Sequence, residues 1–341
     1  MGELITSLKF AEISSIVFSG VFLPEQIEKL GIKNFNKVNR FGEYFYIRNY
    51  DFTLQENDII FTRIEDLNIL FNILKAIPLK NVKIICHQSD LSISKKLYKS
   101  KPKCISKIYS VNVSHIASDL IPIPIGLANL HKKNLNESSF SEVKNVKHNY
   151  LNINKRQYLL FINFQISTNY KKRQGIYELY ENQDWTKVEP PNLNKNKYSR
   201  ILKDSLFTLA PFGNGVDTHR FWESLYSGSV PVVEHHITYS YANELPVLFV
   251  KNIKKIDKNI LNNYIDNFKI TDFKFEKLYF DYWKSLILKD FIDVGEVFKI
   301  KTNGLKIKYF EKRYEVLFWL NNKLKIINFY LFRINKIFKN R

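Results

Sequence analysis

The sequence predicts an α/β fold organised in two successive strand–helix–strand sets, and three observations lead there. Short apolar runs recur in alternation with stretches of helical spacing. Several of these runs are apolar at consecutive positions, as parallel strands covered on both faces require. The pattern restarts after a polar stretch near residue 150. Composition permits such a core, with 45% hydrophobic and 15% aromatic residues, and excludes a disordered chain. Two cysteines, Cys86 and Cys104, exclude a disulfide scaffold or a Cys-rich zinc module.

In chain order, Ser14–Ser19, Asp58–Thr62 and Val82–Cys86 read as buried strands. Pro24–Leu30, Glu65–Ala76 and Leu91–Tyr98 carry helical spacing around them. Strand, crossover and strand in repetition imply a parallel sheet. Ligands of such sheets sit beyond the strands' carboxyl ends, which here carry Arg63 and His87-Gln88-Ser89-Asp90. Lys132–Asn154, polar and without period, reads as a linker. The second set comprises strands at Tyr158–Asn163, Ser205–Ala210, Val230–Val233 and Leu248–Val250, with helices at Lys171–Tyr180 and Thr218–Ser227. Three regions result: 1–150, 151–290 and a basic tail, 291–341. From Leu305 to Arg341 ten Lys/Arg face two Glu, while Leu317, Leu320, Leu324, Ile327 and Leu331 recur three or four apart. That is a basic amphipathic helix, suited to packing on the protein or to an anionic membrane surface.

The net charge of +19 is spread through a chain rich in Lys, Asn and Ile, so it names no partner by itself. A nucleic-acid binder would need aromatics spaced along one basic surface or a known module, and the sequence carries neither. No apolar run reaches the roughly 18 residues of a membrane span. Glu3, Lys9 and Glu12 interrupt any signal-like apolar stretch, which points to the cytoplasm or the cytosolic face of a membrane. Sequons at Asn112 and Asn136 do not decide the compartment.

One segment carries chemistry: Ser205-Leu-Phe-Thr-Leu-Ala-Pro-Phe-Gly-Asn-Gly-Val-Asp-Thr-His-Arg-Phe-Trp-Glu-Ser-Leu-Tyr-Ser-Gly-Ser-Val-Pro-Val-Val233. A strand runs into Gly213-Asn214-Gly215, then a helix capped by Asp217 or Thr218, then Gly228 and a second strand. Glycines allow close ligand approach and positive φ, and the helix N-terminus favours a phosphate. Arg220 and Glu223 share a helix face, which suits a pyrophosphate and a ribose. The segment is neither a Walker A loop nor a dinucleotide fingerprint, since the Gly-Lys-Ser/Thr and the third glycine are missing. The missing fingerprint disfavours another nucleotide-using α/β enzyme such as an epimerase.

The series Phe207–Pro211, Gly213, Gly215, Arg220, Glu223, Gly228, Pro231 resembles the nucleotide-sugar motif of exostosin-like glycosyltransferases. Weaker echoes lie at Pro122–Asn129 and at Asn163 with Lys172-Arg173. The resemblance implies a GT-B fold, with two Rossmann-like domains facing a cleft, the donor in the C-terminal one and the acceptor in the N-terminal one. It implies a glycosyltransferase using a nucleotide-sugar, UDP-linked as first choice, and a glycan or lipid-linked acceptor. It also implies independence of metal, and the sequence has no Asp-x-Asp pair. Donor-binding candidates are then Asn163, Lys172, Arg173, Gly213, Asn214, Gly215, Asp217, Thr218, His219, Arg220 and Glu223, with Arg220 opposing the leaving diphosphate's charge. An inverting transfer needs a base on the acceptor side. Asp90 leads, then His87, with Arg63, Glu65 and Asp66 behind them. His219, His235 and His236, near Asp217 and Glu234, lack the spacing of a zinc site, so no metal or cofactor is expected.

Overall fold

The structure is a computed structural model that describes residues 2–33, 35–128, 135, 137–140, 145–289, 297–301 and six single positions between 312 and 324. Two five-stranded parallel sheets dominate it. The first runs Ile16–Val17, Ile59–Thr62, Val82–Cys86, Ile105–Ser110, Leu120–Pro122, with spatial order following chain order. Consecutive residues of its strands feed opposite cores. Ile16, Ile60, Ile84 and Ile108 face one cluster, and Val17, Phe61, Ile85 and Tyr109 the other. This double burial explains why the strands read as unbroken apolar runs.

The second sheet has the order Thr186–Val188, Tyr158–Ile162, Ser205–Leu209, Val230–Glu234, Leu248–Val250, again all parallel. After Tyr158–Ile162 the chain crosses to one side, and after Thr186–Val188 it returns to the other. The strand order therefore reverses between Tyr158–Ile162 and Ser205–Leu209. Connections leave those two strands in opposite directions and open a crevice at their carboxyl ends.

The core that covers one face of the first sheet is continuous with the core of the second. Ile5 N–H donates to Tyr226 Oη, Leu127 N–H to Ile5 O, and the Phe10 ring meets Phe280 edge-on. At the other end, Val297–Lys301 pairs antiparallel with Asp51–Gln55. A strand assigned by sequence to the tail thus belongs beside the first sheet.

Other elements differ from expectation. Ser14–Ser19 is not one strand: Ile16–Val17 joins the parallel sheet, and Ser19–Phe22 turns into an antiparallel sheet with Tyr44–Arg48 and Asn36–Phe41. Leu91–Tyr98 reduces to Lys95–Lys99, capped by Ser94, whose Oγ accepts from Leu97 N–H. Lys171–Tyr180 breaks at Gly175, φ 75°, into Tyr170–Arg173 and Ile176–Tyr180. The presumed linker packs closely at Val146–Tyr150: Tyr150 Oη donates to Leu225 O and Asn149 Nδ2 to Tyr226 O. Of the tail helix, the described positions Lys312, Val316, Trp319, Leu320, Lys323 and Leu324 are helical and exposed, and the rest of that expectation lies outside the described residues. So does Asn136. No helix of the described residues is long and apolar enough to cross a membrane.

Candidate functional site

The motif loop sits at the crevice. Its scaffold is Arg173, which sequence reading offered as a donor ligand. Its Nε donates to Phe212 O, Nη2 to Pro211 O and Nη1 to Gln165 O, tying the ends of both central strands together. Burial, then the charge of Arg220 nearby, pulls the Arg173 guanidinium down to about 10. Two cations close enough to repel mark a place where an anion is stabilised. Asn169 Nδ2 reaches Gly213 O, which holds the loop from below.

Neither Gly213 nor Gly215 takes positive φ, contrary to the expectation from their type. They are needed for approach. A Cβ on Gly213 would lie 3.2 Å from Arg173 Nη2, and one on Gly215 would lie 3.0 Å from Asn112 Nδ2 and 3.3 Å from Asp90 O. Gly215 therefore seats the loop against the carboxyl edge of the first sheet. Asn214 between them is exposed. Gly228 does adopt φ 74° and ends the helix His219–Ser227 in a left-handed cap.

Thr218 occupies the N-cap of that helix, with Oγ1 buried and unpartnered. From the first turn Arg220 reaches into the crevice. Its Nη2 lies 3.3 Å from Asn163 Oδ1, its Nη1 3.2 Å from Tyr198 Oη, and its guanidinium lies over the Tyr198 ring. Tyr198 Oη in turn donates to Glu223 Oε2 at 2.7 Å. Arg220, Tyr198 and Glu223 thus form one braced group. Asn163 belongs to its support: it is 3% exposed, and its amide donates to Glu189 O and Pro190 O. The Tyr198–Ser205 segment fits the same resemblance, yet nothing local marks the Tyr198 side chain as the partner of Arg220. Lys172 lies at the crevice edge, bonded to Glu234 at 2.7 Å and 5.6 Å above the Phe212 ring.

Asp217 is not a pocket residue. Its fully buried carboxylate accepts from Ile125 N–H at 2.8 Å, from Tyr241 Oη and from Trp222 Nε1. Its own N–H donates to Asn112 Oδ1, while Asn112 Nδ2 donates to Ser89 O. This network latches the motif loop to the first sheet. It also removes Asn112 from any sequon role in the folded chain, since that side chain is 0% exposed.

A cavity of about 310 Å³ opens where the first sheet's carboxyl ends meet this loop. Ser7, Tyr44, Arg63, His87, Gln88, Ser89, Asp90 and Ala128 line it from the first half, and His219 from the second. The structure corrects the reading of His87. Gln88 N–H donates to its Nδ1, so Nε2 carries the proton and donates to Pro124 O at 3.1 Å. Burial lowers its pKa to about 3. With both nitrogens engaged, His87 has no lone pair for an acceptor's proton. Asp90 is exposed at the wall. Arg63 donates to Gln88 O and Glu65 Oε1. Burial first pushes the Glu65 carboxyl up, and Arg63 opposes it. Asp66 lies outside the cavity, buried against Arg48 and Tyr46. His219 Nδ1 lies 2.8 Å from Gly126 O, so its ring faces this cavity and not the crevice of Arg220.

Glu234, His235 and His236 point apart: Glu234 to Lys172, the His235 ring onto Phe249, and His236 Nδ1 to Thr238 N–H. Among the described residues no three of His, Cys, Asp and Glu gather as a metal site.

Residues 154–269 match the family model of the RXYLT1 C-terminal domain. This stretch is glycosyltransferase-like, and it contains Asn163, Arg173, Tyr198, the Gly213–Gly215 loop, Arg220 and Glu223. A solved structure of an alpha,alpha-trehalose-phosphate synthase (UDP-forming) from Burkholderia xenovorans, in complex with glucose-6-phosphate, is 8% identical. It covers 69% of this chain and 72% of its own, at a TM-score of 0.33, too low to equate the two folds. No curated protein matches the chain.

Proposed function

We propose that this protein is a GT-B-type glycosyltransferase that moves a sugar from a nucleoside-diphosphate donor, UDP-linked as first choice, to a hydroxyl of a glycan or lipid-linked acceptor. The observation that carries this reading is the pairing of Arg220, braced by Tyr198 and Asn163, with the start of the His219–Ser227 helix at the point where strand order reverses. A diphosphate there meets the Arg220 guanidinium and the positive end of a helix, with Arg173 behind, and Glu223 is the carboxylate at hand for ribose hydroxyls. The developing negative charge of the leaving diphosphate is opposed by Arg220, so transfer proceeds without a metal. The acceptor enters the cavity lined by Asp90 and His219, where a base takes the proton of its hydroxyl in an inverting displacement.

Thermal shift with UDP, GDP and CMP tests this reading. One nucleoside diphosphate stabilises the protein, by about 2.7 kcal/mol at a concentration a hundredfold above its Kd. Arg220→Ala and Glu223→Ala each abolish that shift while the unliganded protein stays folded. Stabilisation by none of the three contradicts the assignment. A peripheral position on an anionic cytosolic membrane surface through residues 305–341 completes the proposal. It is supported by exposed Trp319, Leu320 and Leu324, with Lys323 5.5 Å over the Trp319 ring.

A further inference from the structure

We infer that His219 is the catalytic base, taking the proton of the reacting hydroxyl at its Nε2, an inference that rests on the glycosyltransferase reading above. His219 Nδ1 lies 2.8 Å from Gly126 O. A carbonyl oxygen only accepts, so Nδ1 carries the hydrogen and the neutral ring keeps its lone pair on Nε2. His87, on the same cavity, is the mirror case, with its one lone pair spent on Gln88 N–H. Both rings donate one N–H to a backbone carbonyl, but in His87 the second nitrogen is taken by Gln88 N–H, whereas the lone pair of His219 stays on Nε2.

The orienting carbonyl is itself held firmly. Gly126 has φ 69°, and a Cβ there would lie 2.3 Å from Ile5 O. Only glycine fits, so the backbone that aims Gly126 O at His219 is set by contact with the N-terminal segment. The ring is half-buried on the cavity wall, where a hydroxyl can reach it and bulk water is partly excluded. Arg63, Tyr44, Asp90 and His87 are the charged and titratable groups that share the cavity with it.

His219 and Arg220 open the same helix, and successive helical residues project about 100° apart. The first turn thus sends a base toward the acceptor cavity and a cation toward the diphosphate crevice. In the step itself, the acceptor O–H bond breaks with its proton going to Nε2, and the oxygen forms a bond to the anomeric carbon. The bond from that carbon to the diphosphate oxygen breaks, and its electron pair leaves on the nucleoside diphosphate beside Arg220. The imidazolium then loses its proton to water.

Release of UDP from a panel of UDP-glucose, UDP-galactose, UDP-N-acetylglucosamine, UDP-xylose and UDP-glucuronate, with water as acceptor, tests the assignment in the full chain. His219→Ala lowers the rate by about 10²–10⁴-fold, and added imidazole restores part of it. The UDP thermal shift of the variant is unchanged, because Arg220 and Glu223 remain. Asp90→Asn loses less. Selective ¹⁵N labelling of histidine finds His219 protonated at Nδ1 and bare at Nε2. A His219→Ala chain that still shifts with UDP and releases it near the wild-type rate overturns the base assignment and leaves the proposed function standing. A larger loss in Asp90→Asn than in His219→Ala does the same and moves the base to the carboxylate. A wild-type chain that no nucleotide stabilises removes the functional reading itself.

Discussion

Residue chemistry divides the motif by direction. Arg220 and the buried Glu223 join Tyr198, His219 faces the cavity, and Asp217 faces inward to bind the two sheets. Sequence placed all four in one donor pocket, because residue type at a loop suggests a role but not an orientation. Asp217 makes the most specific prediction. Burial pushes its carboxyl up to about 7, against the pull of Ile125 N–H, Trp222 Nε1 and Tyr241 Oη. Between the ordinary carboxylate value near 4 and pH 7, the folded chain then holds a proton that the unfolded chain has lost. Stability therefore falls as pH rises through that window and levels off above it. Asp217→Asn cannot ionise and flattens this slope, at the expense of one misdirected hydrogen bond worth about 1 kcal/mol. Urea midpoints from pH 4 to 8 read the difference, and equal slopes in both proteins would show that Asp217 ionises normally.

At the level of elements, sequence reading succeeded where a strand is covered on both faces. Val82–Cys86 is an example, with all five residues buried. It missed Ile105–Ser110, where Ser106 and Lys107 interrupt the apolar run although the strand is parallel and internal. It merged Ser14–Ser19 because a change of partner at Phe18 leaves no mark in hydrophobicity. Glycines separate in the same way. Gly175 and Gly228 both take φ near 75°, yet a Cβ on Gly175 meets nothing within 4 Å, whereas one on Gly228 lies 2.5 Å from Arg156 Nη2 and 2.6 Å from Asn149 O. Arg156 Nη2 is itself committed to Asn149 O and Ser227 O. Gly175→Ala therefore costs only the left-handed backbone strain, about 1–2 kcal/mol. Gly228→Ala adds a clash and lost hydrogen bonds and costs visibly more, each broken bond adding about 1–3 kcal/mol. Differential scanning calorimetry of the two variants ranks them, and equal melting temperatures would contradict the contact argument.

For the whole molecule, the decisive links are those between distant parts of the chain. Asn112, 0% exposed, accepts from Asp217 N–H 105 residues away and donates to Ser89 O. Asn112→Ala leaves a buried donor and a buried acceptor unpaired, each costing about 1–3 kcal/mol. It lowers the urea midpoint but spares the UDP shift, since Arg220, Tyr198 and Glu223 brace one another on two helices, Lys195–Lys203 and His219–Ser227. Loss of that shift would show that the latch shapes the crevice of Arg220 as well. Deleting residues 305–341 tests the peripheral membrane proposal. Binding to vesicles containing anionic phosphatidylserine falls in the truncated chain, and unchanged partitioning refutes it.

The sequence by itself determined the α/β class, the two strand–helix–strand sets and the loop-and-helix segment from Ser205 to Val233, because period, run length and glycine spacing are local properties. It also named Arg220 and Glu223, whose spacing on one helix face needs no partner to be read. Only the tertiary structure decided that His87 is locked and His219 is not, that Asp217 is a latch, and that Tyr198 braces the arginine. Each of these depends on which groups meet across tens to hundreds of residues, as Val297–Lys301 meets Asp51–Gln55 and Gly126 O meets His219. Such meetings are set by how the whole core packs, and no window of sequence contains them.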